Sequence, residues 1–183
     1  LPLTYWVLSR HIGLRLGAVL LLSASLNGLL KLTFTTPRPS FLRPEVGVVP
    51  ETSFGLPSGH AQNAAAFFGV LGAHLRGWFP RLGLAVLVAA IAWSRIHLGV
   101  HFLEDVVVGL LVGAAVAGAF LLLEPRLVRW WRRVGTPERM LASLLAGLVW
   151  IAPAVLLAGR LEGVAFPWPG IEDLAEMTGA SSV

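Results

Sequence analysis

Five long apolar runs constrain the fold of this chain more than any other feature of its sequence. They cover about residues 16–30, 61–75, 82–97, 106–123 and 140–159. With its flanks, a run of this kind is long enough to cross a bilayer as a helix. Hydrophobic residues make up 56% of the chain and charged residues only 13%, a balance that a soluble core of this size cannot hide. The sequence therefore predicts an all-α integral membrane protein, a helical bundle with about five transmembrane helices.

Basic residues at the ends of the runs predict how the bundle is oriented. With runs that alternate in direction, the basic residues on one side are Arg10, Arg15, Arg76, Arg81 and the arginines between residues 126 and 139. By the positive-inside rule, this side is cytoplasmic. Lys31, Arg38, His60 and His101 then fall together on the extracytoplasmic side. Because membrane topology accounts for the net charge of +4, no nucleic-acid partner is expected.

The polar segment at residues 94–105 carries residue types suited to phosphate chemistry between two apolar runs. Arg95 supplies a guanidinium, which can bind a phosphate through two parallel hydrogen bonds. His101 supplies an imidazole, which can attack phosphorus or transfer a proton near neutral pH. Asp105 follows four residues later, on the same face if the segment is helical. We expect Asp105 to keep one ring nitrogen of His101 protonated and to leave the other free to attack.

Each polar residue on this side of the membrane also has a simpler explanation. Lys31 could extend from a helix end to the interface, and Arg38 and His60 could be ordinary surface residues. Ser58 could cap the following helix, and the helix dipole alone favours Asp105 at a helix start. If each of these explanations held separately, the polar residues would lie on the same face of the membrane only by coincidence. A single phosphoryl-transfer site would explain why all of them lie there.

A phosphoryl-transfer site would use these residues as one set. A phosphoryl group in transfer spreads negative charge over its oxygens, and fixed cations stabilise that charge. The cations available are Lys31, Arg38 and Arg95. Backbone N–H groups near Gly59, at a helix N-terminus, would add an anion-binding site. His101 would attack phosphorus in line, while His60 would protonate the leaving oxygen and later activate water.

Three stretches carry this set of residues in order along the chain. They are Lys31-x6-Arg38-Pro39, Pro57-Ser58-Gly59-His60 and Ser94-Arg95-x5-His101-x3-Asp105. Together they resemble the three signature motifs of the type 2 phosphatidic acid phosphatase superfamily, which also contains soluble acid phosphatases, glucose-6-phosphatase and the vanadium haloperoxidases. The resemblance covers residues 31–105, and the ordered set is highly specific, although any one motif would be weak.

The resemblance implies a role for each matched residue. His101 would be the nucleophile that forms a phosphohistidine, Asp105 would orient it, and His60 would be the acid and base that serves the leaving group. The phosphate-binding residues would be Lys31, Arg38, Ser58, Gly59 and Arg95. No metal ion and no other cofactor is implied. His97 lies outside the motifs and is interpreted as a packing residue, and no chemistry is assigned to His11 or His74.

The leading hypothesis is a lipid-phosphate phosphatase, a metal-independent hydrolase of a phosphomonoester or pyrophosphate bond. Its site would face outward at the surface of a bacterial-type plasma membrane. Candidate substrates are phosphatidic acid, phosphatidylglycerol phosphate and a polyprenyl pyrophosphate, and the motifs do not choose among them. A phosphotransferase with the same site is the main alternative, followed by a vanadium-type haloperoxidase and a non-catalytic membrane protein.

We expect a single domain over residues 1–183, with its motif-bearing core at residues 31–105. A helix at about residues 140–159 and an acidic tail at residues 160–183 would be appended to this core. The partners expected are the lipid substrate and the lipids of the membrane, and the oligomeric state stays open. Because the chain has no cysteine, neither a disulfide nor a thiolate metal site is available to it.

Overall fold

The helices follow the apolar runs of the sequence, one helix to each run. The computed structural model describes residues 9–49, 51–162 and 164. In chain order the α-helices are α1 Arg10–Phe34, α2 Pro39–Leu42, α3 Gly59–His74, α4 Trp78–His97, α5 Leu103–Arg133 and α6 Thr136–Leu161, and a 3-10 turn covers Pro44–Val46. No strand occurs in the described residues, and the prediction of an all-α fold is confirmed.

Among the described residues, four segments are long and apolar enough to cross a membrane: α1 with the adjoining α2, then α4, α5 and α6. The chain is therefore an integral membrane helical bundle, as its composition predicted. The remaining helix, α3, has 16 residues and is about 24 Å long at the usual helical rise. Because α3 is shorter than the hydrocarbon core of about 30 Å, the number of five crossings stays a prediction.

Helix α1 ends at Phe34, shortly before Pro37 and Pro39, two residues that interrupt helices. Thr35 follows the helix in the left-handed region, with φ of 46°, and its N–H donates to the Lys31 carbonyl. This bond closes the last turn of the helix, as a left-handed cap commonly does. Lys31 is therefore held in the final turn of α1, at the end of the bundle where the sequence placed the site.

Residues 40–56 are only partly irregular, although they contain two prolines and two glycines, because α2 and the 3-10 turn occupy their beginning. Pro39 and Pro44 stand in the first turns of these two elements, where the fixed proline φ suits a helix start. Phe41 within α2 is buried and attaches this short helix to the bundle. The sequence did not reveal these turns because elements this short have no hydrophobic period.

Helix α5 is longer than its apolar run, which the sequence had ended near Leu123. The helix continues to Arg133 and contains Pro125, which removes one backbone donor from it. Next to this break, the Arg126 guanidinium donates to the Leu122 carbonyl. With 31 residues, α5 is about 46 Å long and is longer than a perpendicular crossing of the hydrocarbon core requires.

Helix α3 lies at the centre of the bundle and packs against α1, α4 and α5. Small residues on α5 let its backbone approach α3 closely, as is common between membrane helices. A Cβ atom at Gly109 would lie 2.6 Å from the Ser58 carbonyl oxygen, and one at Gly113 would overlap the Gln62 carbonyl oxygen. Together with the buried Ala117, these glycines repeat every four residues. This spacing is a sequence signal for the α3–α5 contact that the apolar runs alone do not reveal.

A buried hydrogen-bond network joins α1 to α3. The Gln62 amide donates to the Ser23 carbonyl over 2.8 Å, and the Ser23 hydroxyl donates to the Asn63 side-chain oxygen over 2.7 Å. The Asn27 amide donates to the Gln62 side-chain oxygen over 3.0 Å and to the Pro57 carbonyl over 3.1 Å. Buried polar groups satisfied in this way specify one arrangement of their helices. The network therefore fixes the start of α3 against α1.

The arginine-rich ends of three helices meet at the opposite end of the bundle. Arg15 of α1 donates to Glu124 of α5 over 2.8 Å and to Nε2 of His74 in α3 over 2.7 Å. His74 pairs through Nδ1 with the Val70 carbonyl over 2.8 Å. Since a guanidinium only donates, Nε2 is the accepting nitrogen and Nδ1 carries the proton. His74 is thus a connecting residue, far along α3 from the motif at its start.

Helix α6 is peripheral: it packs against α1, and none of its residues is buried. The helix covers a slightly longer range than the predicted residues 140–159, and its description as an appendage of the core stays a prediction. Of the acidic tail predicted for residues 160–183, residues 163 and 165–183 lie outside the described residues.

Candidate active site

The turn between α4 and α5 directs His101 into the bundle. Gly99 adopts the left-handed region with φ of 66°, and a side chain there would overlap the Val46 carbonyl. Glycine is therefore needed for both the conformation and the space. The Val48 N–H donates to the Leu98 carbonyl over 3.2 Å. These contacts hold the α4–α5 turn against the loop that follows α2.

His101 and Asp105 form the pair that their spacing predicted. Nδ1 of His101 lies 3.2 Å from Oδ2 of Asp105, and the same oxygen accepts the Phe102 N–H over 3.0 Å. Only 3% of His101 and 2% of Asp105 is exposed to solvent. Asp105 stands in the first turn of α5, where its side chain accepts the N-cap N–H and its charge complements the helix dipole. The carboxylate is thereby held in place while it orients the imidazole.

The other ring nitrogen of His101 faces a cation. Nη1 of Arg38 donates to Nε2 of His101 over 3.1 Å. Because a guanidinium has no acceptor, Nε2 carries the lone pair, and the proton of the neutral ring is on Nδ1, directed at Asp105. Burial lowers the pKa of His101 below its ordinary value of 6.5, the hydrogen bond to Asp105 opposes this shift, and the charges of Arg38 and Lys31 add to it. The imidazole is therefore neutral at pH 7, with an available lone pair on Nε2.

Arg38 is almost fully buried, and 1% of it is exposed. Its guanidinium donates to the Val100 carbonyl over 2.9 Å, to the Ser53 hydroxyl over 2.9 Å and to the Ser53 carbonyl. The same hydroxyl accepts from Lys31 Nζ over 2.7 Å. Nη2 of Arg38 also lies 3.3 Å from a carboxylate oxygen of Glu51. Ser53 thus joins the two predicted cations, although they belong to different elements.

Sequence reasoning did not identify Ser53 and Glu51. Both lie in the loop before α3, where no hydrophobic period or motif spacing distinguishes one polar residue from the next. Their importance follows only from the fold, which brings residues 51 to 53 against Arg38. A single sequence carries no local signal that would have found them.

The segment Ser58-Gly59-His60 lies at the start of α3. The Ser58 N–H donates to the Asp105 carbonyl over 2.9 Å, which links this segment to α5. Ser58 is fully buried, but its hydroxyl neither caps the helix nor has any other hydrogen-bond partner among the described residues, so simple capping does not explain this serine. Gly59 lies close to Asn27, whose side-chain oxygen would be 2.9 Å from a Cβ atom. His60 is exposed and forms no hydrogen bond with a described residue.

A cavity of about 510 Å³ opens beside His101. Its polar wall consists of Lys31, Arg38, Glu51, Ser53, Asn63, His60, His101 and the Gly59 backbone. Its apolar wall consists of Leu20, Ala64, Phe67, Phe68 and Ile91. The fold thus brings five of the eight predicted site residues, from three separate motifs, onto one cavity. A pocket with a cationic end and an apolar side has the chemical form of a site for an anionic amphiphile.

Asp105, Ser58 and Arg95 do not line this wall. Asp105 contacts His101, which lines the cavity, and Ser58 is buried directly before α3. The Arg95 guanidinium donates from two nitrogens to the hydroxyl of its neighbour Ser94, each over 3.2 Å. The catalytic and phosphate-binding roles assigned to all eight residues stay predictions. Over the described ranges, no three His, Asp or Glu side chains are grouped so that they could hold a metal ion.

Fold and site together define a class of protein: a helical membrane protein with a cationic pocket around an oriented, neutral histidine. The family model described as the PAP2 superfamily matches residues 12–129. This match covers more than half of the chain, and the chain belongs to the PAP2 superfamily. The resemblance inferred from the three motifs is thereby confirmed.

Several characterised proteins are similar to this chain. Phosphatidylglycerophosphatase B of Bacillus subtilis is 35% identical over 97 residues, which cover 48% of this chain and 46% of that protein. Lipid phosphate phosphatase delta of Arabidopsis thaliana is 26% identical over 145 residues, which cover 69% of this chain and 34% of that protein. The chain therefore spans half or less of the length of these relatives.

A solved structure shares the fold. It is the crystal structure of a transmembrane PAP2 type phosphatidylglycerolphosphate phosphatase from Bacillus subtilis. It superposes with a TM-score of 0.55 at 29% sequence identity, over 62% of this chain and 59% of that one. The similarity agrees with a membrane bundle built around the same family core.

Proposed function

We propose that this chain is a lipid-phosphate phosphatase that works through a phosphohistidine on His101. The observation that carries the proposal is the position of His101 Nε2. This nitrogen is unprotonated and accepts a hydrogen bond from the buried guanidinium of Arg38 over 3.1 Å, and the Asp105 carboxylate lies 3.2 Å from the other ring nitrogen. The names of the relatives, which are phosphatases of lipids, support the same reaction class.

The first chemical step is the attack of Nε2 on phosphorus. A new N–P bond forms while the bond from phosphorus to the lipid oxygen breaks, and His60 gives that oxygen a proton. The imidazole becomes cationic in this step, and the Asp105 carboxylate stabilises the new charge. Arg38 transfers its Nη1 hydrogen bond from Nε2 to a phosphate oxygen, and Lys31 neutralises further negative charge.

The second step is hydrolysis of the phosphohistidine. His60 accepts a proton from a water molecule, the water oxygen attacks phosphorus, and the N–P bond breaks. Inorganic phosphate leaves, and His101 returns to its neutral state with the proton on Nδ1. The reaction uses only side chains of this chain and one water, so we propose that it does not depend on a metal ion.

The apolar wall of the cavity supports a lipid as the substrate. The rings of Phe67 and Phe68 and the side chains of Leu20 and Ile91 lie next to the cationic groups. The phosphate of a lipid would contact the polar wall while its chain lies along this apolar surface and the bilayer. Most arginines lie at the opposite end of the bundle, so we propose that the site faces outward.

Phosphate release by the detergent-purified protein tests this proposal. The substrates are phosphatidic acid, phosphatidylglycerol phosphate, a polyprenyl pyrophosphate and the water-soluble p-nitrophenyl phosphate. We expect release from at least one lipid, inhibition by orthovanadate, and loss of turnover in His101→Ala. The matched control is His97→Ala, which removes an exposed histidine outside the cavity one helical turn earlier and should keep activity.

Two results would contradict the proposal. Substantial turnover by a folded His101→Ala protein would exclude His101 as the nucleophile. Transfer of the phosphoryl group to an added alcohol without release of inorganic phosphate would instead identify a phosphotransferase.

A further inference from the structure

The loop residue Glu51 places a negative charge inside a pocket built for anions. Among the described residues that line the cavity, Glu51 is the only carboxylate, and it stands among Lys31, Arg38 and His60. Its Oε2 atom lies 3.3 Å from Nη2 of Arg38, and 25% of its side chain is exposed. A carboxylate oxygen in this position forms an ion pair with a guanidinium that a phosphate oxygen would use.

Arg38 does not need Glu51 to keep its position. The guanidinium is already bound by three neutral acceptors, the Ser53 carbonyl, the Ser53 hydroxyl and the Val100 carbonyl. The contact with Glu51 is 3.3 Å long, whereas the hydrogen bonds to the Ser53 hydroxyl and to the Val100 carbonyl are each 2.9 Å long. The Glu51 side chain also lies in a loop and is partly exposed. Nη2 can therefore exchange the carboxylate for a phosphate oxygen while the rest of the arginine stays in place.

We propose that Glu51 is a built-in competitor for the phosphate group. In the free protein its carboxylate partly neutralises Arg38, and a bound phosphate takes its place on Nη2. The negative charge of Glu51 then lies beside the bound anion and repels it, which weakens the binding of that anion. This effect applies to the product as well, so Glu51 favours the release of inorganic phosphate after the second chemical step. The inference rests on the proposed function, because it requires that phosphate binds at this wall.

The test compares how wild-type and variant proteins bind inorganic phosphate, by calorimetry and as an inhibitor of p-nitrophenyl phosphate hydrolysis. Glu51→Gln removes the charge and keeps the size of the side chain. We expect phosphate to bind about three- to tenfold more tightly, a change typical of removing one partly exposed like charge. KM should fall in parallel, and kcat should not rise, because product release becomes slower.

Three further variants distinguish the effect of the Glu51 charge on phosphate binding from the effect of its side-chain shape. Glu51→Ala should match Glu51→Gln, whereas Glu51→Asp keeps the charge and should stay close to the wild type. Glu45→Gln makes the same charge change at an exposed residue of the 3-10 turn that does not line the cavity, and it should have no effect. A Glu51→Gln protein that binds phosphate no more tightly than the wild type, or less tightly, overturns the inference.

The two proposals fail in distinguishable ways. If the wild-type protein hydrolyses a substrate and binds phosphate but Glu51→Gln binds it no more tightly, only the competitor role fails. If the wild-type protein neither releases phosphate from any substrate nor binds it, the proposed function fails, and the role of Glu51 fails with it.

Discussion

Replacing Asp105 with asparagine isolates the charge behind the nucleophile. Oδ2 of Asp105 accepts from both the Phe102 N–H and the His101 ring. In Asp105→Asn, the backbone N–H requires an acceptor, so it selects the amide rotamer that keeps an oxygen in this position. The proton of His101 then stays on Nδ1, and Nε2 stays unprotonated. The variant should therefore lose the negative charge but keep the orientation of the imidazole.

The size of the effect follows from the distance. An opposite charge within about 4–6 Å changes a pKa by about 1–3 units, and each unit is a factor of ten. Nδ1 of His101 lies 3.2 Å from Oδ2 of Asp105, and both residues are almost fully buried. We therefore expect a pKa effect in the upper part of this range. We expect kcat to fall about 10²- to 10³-fold in Asp105→Asn. Asp105→Ala should lose more, because it also leaves the Phe102 N–H without its acceptor, at a cost of about 1–3 kcal/mol in stability.

The assay is kcat for p-nitrophenyl phosphate and for the best lipid substrate, with the thermal midpoint measured in the same detergent. Glu104→Gln is the matched control, because Glu104 is the neighbouring acidic residue in the first turn of α5 and is exposed. It should keep wild-type activity. A folded Asp105→Asn protein with a kcat within tenfold of the wild type would refute the role given to the carboxylate.

Three further predictions concern pH, packing and metal dependence. Since burial lowers the pKa of His101 and the neutral ring is the nucleophile, the acid limb of kcat/KM should lie below pH 6.5; a limb above 6.5 assigned to His101 would contradict this. Gly113→Ala should lower the free energy of unfolding in detergent by about 1–3 kcal/mol, because the added methyl group overpacks the α3–α5 contact. Gly118→Ala on the same helix should not lower it, because no atom lies within 4 Å of the Cβ position there. Equal effects of the two substitutions would contradict the close α3–α5 contact. Activity should persist in EDTA, and a loss reversed by added metal would overturn the metal-free mechanism.

The contact between His101 and Asp105, which the sequence predicted, depends on short-range geometry. His101 precedes α5, and the helix start at Leu103 directs the Asp105 side chain back toward the preceding residues, to within 3.2 Å of the His101 ring. The apolar runs likewise predicted the membrane helices, because a helix in lipid must satisfy its own backbone and present apolar side chains along its length. The ordered motifs added the family, which the match to residues 12–129 confirmed.

Tertiary structure decided the contacts between segments that are far apart in the chain. Arg38 and His101 are 63 residues apart, and only the packing of α1, α3 and α5 sets which ring nitrogen the guanidinium faces. The same packing brings Ser53 and Glu51 into the cavity and leaves Arg95 on Ser94. Loop segments lack the hydrophobic periodicity that predicts which side chains of a helix face the core. The direction of a loop side chain is instead set by the packing of the surrounding helices. The residue types of the site were therefore readable from the sequence, while the state of the histidine and the charge balance around it required the fold.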